Sequence, residues 1–233
     1  MTRKLFCPVA IAAALVAGSA ADASLLNSNP SFEADAVGVL GGPPTEWQYN
    51  PQAAGQSAAF EIVTGQGVTD GAQALKIDAT VDALVNGFTR AVELPSSGVQ
   101  PDNGQPLPGM VQGQTYTATG SITPLSADTF YELQIQNSGP FFVTFEQFPV
   151  GSFSTAADPS LIGQTQSFSV DFVYGGGPIQ YNVNLIDQSQ AFTVRTMELI
   201  VDDLKVVDVI PEPGSLAVAF IAALSFVGSH GRR

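Results

Sequence analysis

Cysteine and histidine are nearly missing from this chain of 233 residues, with one of each. Both stand near an end, as Cys7 and His230. Everything between them has no disulfide and no thiol chemistry. The same stretch lacks the usual general base, the Ser-His-Asp and Cys-His arrangements, and histidine-based zinc or copper sites. Basic residues are also scarce: 8 Lys and Arg face 21 Asp and Glu, a net charge of −13. Between residues 24 and 209 the basic residues are Lys76, Arg90, Arg195 and Lys205, against nineteen acids, which leaves a net charge near −15. Nucleic acid is excluded as a partner, because binding it needs clustered Lys and Arg. Attraction to anionic lipid headgroups fails for the same reason. An acidic surface suits solubility and divalent cations instead. No phosphate loop, EF-hand loop or N-x-S/T sequon occurs.

Long helical periodicity is missing from residues 24–209 as well. This stretch is the size of one domain. Val, Ile, Thr, Phe and Tyr dominate its apolar positions, and Gly, Pro, Asn and Asp interrupt them every 8–12 residues or so. The pattern predicts strands over Ala58–Val63, Gln73–Thr80, Asn86–Leu94, Thr115–Thr123, Thr129–Gln136, Phe141–Phe148, Gln166–Tyr174, Ile179–Ile186 and Met197–Val207. Leu75 and Ile77 alternate with Lys76 and Asp78, and Phe168, Val170, Phe172 and Tyr174 alternate with polar neighbours or Val173. Period-two alternation with one wet face marks antiparallel sheets. The expected fold is all-β: a two-sheet antiparallel sandwich of the jelly-roll kind. Leu94 to Gly109 reads as a long Pro/Gly/Ser-rich excursion and Gly38 to Pro44 as a flexible crossing. Gly175-Gly176-Gly177-Pro178 reads as a tight hairpin reversal.

The two ends have a different grammar. Arg3 and Lys4 precede an apolar stretch from Val9 to Gly18, and Ala21-Asp22-Ala23 offers an A-x-A cleavage site before Ser24. This is the layout of a secretory signal peptide over residues 1–23, cut by signal peptidase after Ala23. At the other end, Pro211-Glu212-Pro213 breaks any regular structure. An apolar run from Leu216 to Val227 follows, and the chain ends in Arg232-Arg233. Positive flanks stay on the cytoplasmic side. The run is shorter than the roughly 20 residues a spanning helix needs, so it crosses a bilayer only with local thinning.

Residues 210–233 closely resemble the PEP-CTERM sorting signal. The match consists of Pro211, Glu212 and Pro213, the apolar helix, and Arg232 with Arg233. That resemblance implies an exosortase partner, a transient hold in the inner membrane, and release or attachment at the cell surface or in the extracellular matrix.

A second resemblance spans residues 24–209, whose motifs are similar to those of carbohydrate-binding jelly rolls of the family 4/9/22 type. Asn29-Pro30-Ser31-Phe32-Glu33 resembles their opening N-x-x-F-E, and Trp47 follows where a tryptophan is common. Gly71-Ala72-Gln73-Ala74-Leu75 resembles their G-x-x-A-L strand. Val111-Gln112-Gly113-Gln114-Thr115-Tyr116 is similar to a v-x-x-G-x-x-Y strand, and Asp202-Asp203-Leu204 to the closing D-D-V. This resemblance implies a structural calcium near Glu33 and Asp203, with Asp35 as a third contributor. Calcium needs six to eight oxygens, so carbonyls and waters must complete the shell. No other cofactor is required. For a saccharide, the expected platform is Trp47 with Tyr49, two residues apart on one strand face, and Tyr131 with Gln134 and Gln136. Phe141, Phe142, Phe145 and Phe148 are expected in the core, since Phe lacks a polar handle. The expected function is an exported, non-catalytic surface or matrix protein contacting exopolysaccharide. The alternatives are a small polysaccharide hydrolase, which needs two facing carboxylates, and a structural matrix component with no ligand.

Overall fold

The computed structural model describes residues 26, 28–82, 88–94, 109–138, 145–177, 179–189 and 193–209. The expected signal peptide, the sorting tail, the Pro/Gly-rich excursion between 95 and 108, and Phe141 and Phe142 lie outside them.

Eleven strands form two antiparallel sheets. They are β1 (Gly38–Leu40), β2 (Gln48–Asn50), β3 (Ser57–Val63), β4 (Ala74–Asp82), β5 (Phe88–Leu94), β6 (Thr115–Pro124), β7 (Thr129–Ser138), β8 (Phe145–Ser154), β9 (Gln166–Val173), β10 (Ile179–Asp187) and β11 (Val194–Asp208). The six-stranded sheet runs β1-β3-β4-β11-β6-β9, and the five-stranded sheet runs β2-β5-β10-β7-β8. Each of the nine expected strands is present with shifted ends, the largest shift being in β8, which runs on to Ser154. The short strands β1 and β2 were not foreseen, because three residues carry no alternation to read. The Gly175–Gly177 segment is a correction. It joins β9 to β10, which belong to different sheets, so it is a crossing and not a hairpin.

The alternation decides what is inside. Leu75, Ile77, Ala79 and Val81 of β4 face the core, as do Tyr181, Val183 and Leu185 of β10 and Tyr131, Leu133 and Ile135 of β7. The two sheets are tied across this core by the Tyr181 hydroxyl, which donates to the Thr119 carbonyl at 2.6 Å. Burial pushes that phenol well above its usual range, and the nearby Asp203 carboxylate adds to the rise. Close packing is demanding at Gly151. A Cβ on Gly151 would sit 2.1 Å from the Phe168 ring. Phe168 in turn stacks on Phe153, and Phe153 on Tyr131. Phe148 packs against Phe172 with ring centroids 5.5 Å apart, as expected of a core phenylalanine.

With no disulfide, polar locks hold the connections. Arg195 Nη1 lies 2.5 Å from Asp187 Oδ1 and also donates to the Asp128 carbonyl, while Nη2 donates to the Ala127 carbonyl. One guanidinium thereby ties the β6–β7 turn to the end of β10. Burial pushes the Asp187 carboxyl up. The Ser189 amide and hydroxyl and the Arg195 charge outweigh it and hold the group below its usual range.

Candidate functional site

The outward side of the five-stranded sheet carries the candidate site. On β10 the core residues alternate with Gln180, Asn182, Asn184 and Ile186; on β7 they alternate with Phe130, Glu132, Gln134 and Gln136. Registers then assemble cross-strand rows. Asn50, Arg90, Asn184, Glu132 and Ser152 form one row. Gln48, Glu93, Asn182, Gln134 and Pro149 form a second row, with Asn182 between Glu93 and Gln134. Gln180, Gln136 and Gln147 form a third. At one end Phe88, Ile186 and Phe130 make an apolar row, half-buried and outside the core cluster.

The polar atoms of this face are only partly used by the protein. Asn184 Nδ2 donates to Glu132 Oε2 at 3.0 Å. Asn182 is 0% exposed, yet among the described residues neither its Nδ2 nor its Oδ1 has a hydrogen-bond partner. Asn184 Oδ1 and Gln136 Oε1 are also unpartnered. A buried amide without partners costs free energy, on the order of 1–3 kcal/mol, so the fold keeps these groups at a loss. Planar amides presenting donors and acceptors beside an aromatic row can hold a ligand rich in hydroxyls with an apolar flat side.

The expected aromatic platform is elsewhere. Trp47 is 3% exposed and Tyr131 0%. Trp47, which immediately precedes β2, and Tyr49 within it both turn toward the core. The Trp47 ring lies 5.7 Å from Phe32 and 6.4 Å from Tyr181, and its Nε1 donates to the Asn29 carbonyl at 3.3 Å. Tyr49 packs on Phe60 of the opposite sheet, and burial raises its phenol against the pull of Thr89. Tyr131 exchanges hydrogen bonds with Ser126 and donates to the Glu198 carbonyl; burial raises its phenol too. A large ring with one polar tip gains more inside a sandwich than on its surface. Of that set, Gln134, 8% exposed, and Gln136 stand on the outward face. Phe88 and Phe130 were missed. The signal that would have found them is register: both pair with Ile186, and register is invisible in a linear pattern.

The carboxylates expected to ligate calcium each have partners within the protein. Glu33 Oε1 accepts the amides of Ala72 and Gln73 at 2.6 and 2.8 Å. Asp35 accepts the Thr45 amide and hydroxyl at 3.0 and 2.8 Å and Asn29 Nδ2 at 2.8 Å. Asp203 Oδ1 lies 2.7 Å from Lys205 Nζ, and its Oδ2 accepts from Thr119 Oγ1 at 3.1 Å. Among the described residues no three His, Cys, Asp or Glu side chains form a group able to hold a metal ion. The three carboxylates are spent on protein donors, so they do not fit a calcium shell. The tie between the N-terminal segment and β11 is made by the protein itself. The Leu204 amide donates to the Pro30 carbonyl at 3.0 Å. The fully buried Asp202 accepts the amides of Thr69, Asp70 and Asp203 at 2.5, 2.8 and 2.8 Å. Burial outweighs these bonds and leaves the Asp202 carboxyl above its usual range.

No family model matches the chain, and no curated protein matches it. Among solved structures it is similar to a xylan-binding family 22 carbohydrate-binding module of Paenibacillus barcinonensis, at 12% identity and TM-score 0.43, over 76% of this chain and 90% of that one. It is similar to the C-terminal family 22 module of a Clostridium thermocellum protein, at 11% identity and TM-score 0.42, over 78% and 96%. A structure of promiscuous carbohydrate-binding modules of the β-sandwich superfamily matches at 14% identity and TM-score 0.49, over 80% and 62%. At such identity the likeness concerns chain path alone.

Proposed function

We propose that this protein is a non-catalytic polysaccharide-binding module. Its ligand lies across the outward face of the five-stranded sheet. Asn182, Asn184, Gln134 and Gln136 meet the hydroxyls, and the Phe88–Phe130 row meets a sugar face. The supporting observation is Asn182, whose buried amide has neither atom partnered among the described residues. Asn182 is sealed from solvent, so a ligand reaches it only when neighbouring side chains move aside, and supplying those partners then recovers a free energy the free protein lacks. Asn184 Nδ2 donates to Glu132 and fixes it as part of the same network.

Affinity gel electrophoresis of the purified protein against a panel of soluble polysaccharides tests this. Retardation by at least one polysaccharide, lost in Asn182→Ala/Asn184→Ala and weakened in Phe130→Ala, is the expected result. Retardation by none, or retardation indifferent to these changes, refutes it. Reducing-sugar release from the same polysaccharides would refute the non-catalytic part.

We propose also that both ends are addresses for export, with signal peptidase acting after Ala23 and an exosortase at Pro211-Glu212-Pro213. The support is the ordered set of basic, apolar and cleavage or turn residues at each end. Mass spectrometry of the protein from its native cells should find a start at Ser24 and no Arg232 or Arg233. An intact terminus on intracellular protein refutes the assignment.

A further inference from the structure

A second cleft opens where the two sheets part, between the edge strands β8 and β9. It measures about 820 Å³, within the roughly 300–1,000 Å³ of ligand sites. Glu146, Gln147 and Phe148 border it from β8, Asp171 and Val173 from β9, and Gln112 from the loop before β6. Phe148 is half-buried, and Val173, an apolar side chain on an edge strand, is 51% exposed. They give the cleft an apolar patch. Glu146 and Asp171 are exposed carboxylates, and Thr117 Oγ1 fixes Asp171 Oδ1 at 2.6 Å. Gln112 Nε2 is committed to the Gly175 carbonyl at 2.8 Å.

Behind the cleft sits Asn137, 1% exposed, with no partner for Oδ1 among the described residues. Its Nδ2 lies so close to Gly175 that a Cβ there would come within 2.8 Å of it. Gly175 therefore brings the cleft wall against a buried amide with an unused acceptor. Among the described residues no Lys or Arg borders the cleft. Acceptors dominate its polar lining. An occupant must bring hydrogen-bond donors, carry no negative charge and lay a flat apolar side on Phe148 and Val173. An uncharged saccharide meets all three demands, while a uronate or sulfated sugar is repelled by Glu146 and Asp171.

We infer that this cleft is a second saccharide-binding site, separate from the outward face, and that it makes the protein bivalent toward uncharged polysaccharide. The bivalency, though not the cleft, rests on the outward-face reading. Two sites on one rigid body cross-link polysaccharide when they engage different chains, and hold one chain more tightly when both engage it.

The test is calorimetric titration of the purified full chain with cellohexaose and xylohexaose, joined to turbidity with a long soluble xylan or glucan. The expected result is two sites per chain, with turbidity. Glu146→Ala/Asp171→Ala should weaken one site by at least about tenfold and abolish turbidity while the other site persists. Both residues are exposed, so the fold should hold, and Val173→Asp gives an independent version of the same test. One site per chain in the unaltered protein overturns the inference, as do two sites that both variants leave unchanged. A cleft-dependent site that survives while Asn182→Ala/Asn184→Ala changes nothing refutes the outward-face reading alone.

Discussion

Replacing Asn182 with leucine should make this protein more stable and less able to bind. Leucine has asparagine's branching at Cγ and no polar atoms, and it is the bulkier of the two. Asn182 is fully buried with its donor and acceptor both unpartnered among the described residues, on the β10 strand between Glu93 and Gln134 in register. Leaving such a group unpaired costs about 1–3 kcal/mol, and an apolar replacement of similar shape removes that cost. For a protein of roughly 150–250 residues, 1 kcal/mol moves Tm by about 2–4 °C, so the expected rise is on the order of 2–12 °C. Thermal unfolding followed by circular dichroism measures it. The same preparation, run in a polysaccharide-containing gel, should lose its retardation. Stability gained against function lost is the ordinary signature of a binding group kept at a cost. A fall in Tm would show that the amide is satisfied in the folded protein. A rise with unchanged retardation would show that the amide is idle. Either outcome breaks the link between the unpaired amide and the ligand.

Other consequences are as direct. Trp47→Phe should leave polysaccharide retardation intact and lower stability by about 1–3 kcal/mol in urea unfolding, because it removes core volume and the bond to the Asn29 carbonyl. Arg195→Met should destabilise the protein and flatten the acid limb of its stability curve. The lowered Asp187 carboxyl contributes stability above the ordinary carboxylate range near about pH 4, and that contribution is lost as pH falls through its folded value. Asp202 works in the opposite sense. Its raised carboxyl means protonation favours the fold as pH falls, so Asp202→Asn should steepen the acid loss. Gly151→Ala should lower Tm, since the Phe168 ring occupies the space its methyl needs. EDTA and added calcium should leave Tm unchanged, because Glu33, Asp35 and Asp203 already have protein partners; a calcium-dependent rise would refute that account.

How much of this was legible beforehand depends on the range of the interaction. The nine longer strands stood out because a half-buried strand must alternate, and alternation is local. The polar identities of Gln134 and Gln136 were visible for the same reason. The sheet to which each strand belongs was not. Gly175-Gly176-Gly177 looks like a hairpin turn from its residues, yet β9 and β10 part into different sheets. Trp47 and Tyr49 were correctly paired on one face, but which face is inward depends on what the opposite sheet supplies, here Phe60 and the Phe32–Trp47–Tyr181 cluster. The carboxylates expected to share a metal found amides and Lys205 first, because loop residues 69–73 fold back onto Glu33 and Asp202.

Local chemistry in the chain determined an all-β body without disulfide or histidine chemistry, a strongly acidic charge, and the strands themselves. Each follows from residue type or from a repeat of two. Tertiary structure alone decided that the aromatic residues most suited to stacking on a sugar would fill the core, and that asparagines and glutamines from β7 and β10 would share a face with Phe88 and Phe130. Those neighbours are distant in sequence and adjacent only through register, and register is set by how two sheets bury their apolar sides against each other.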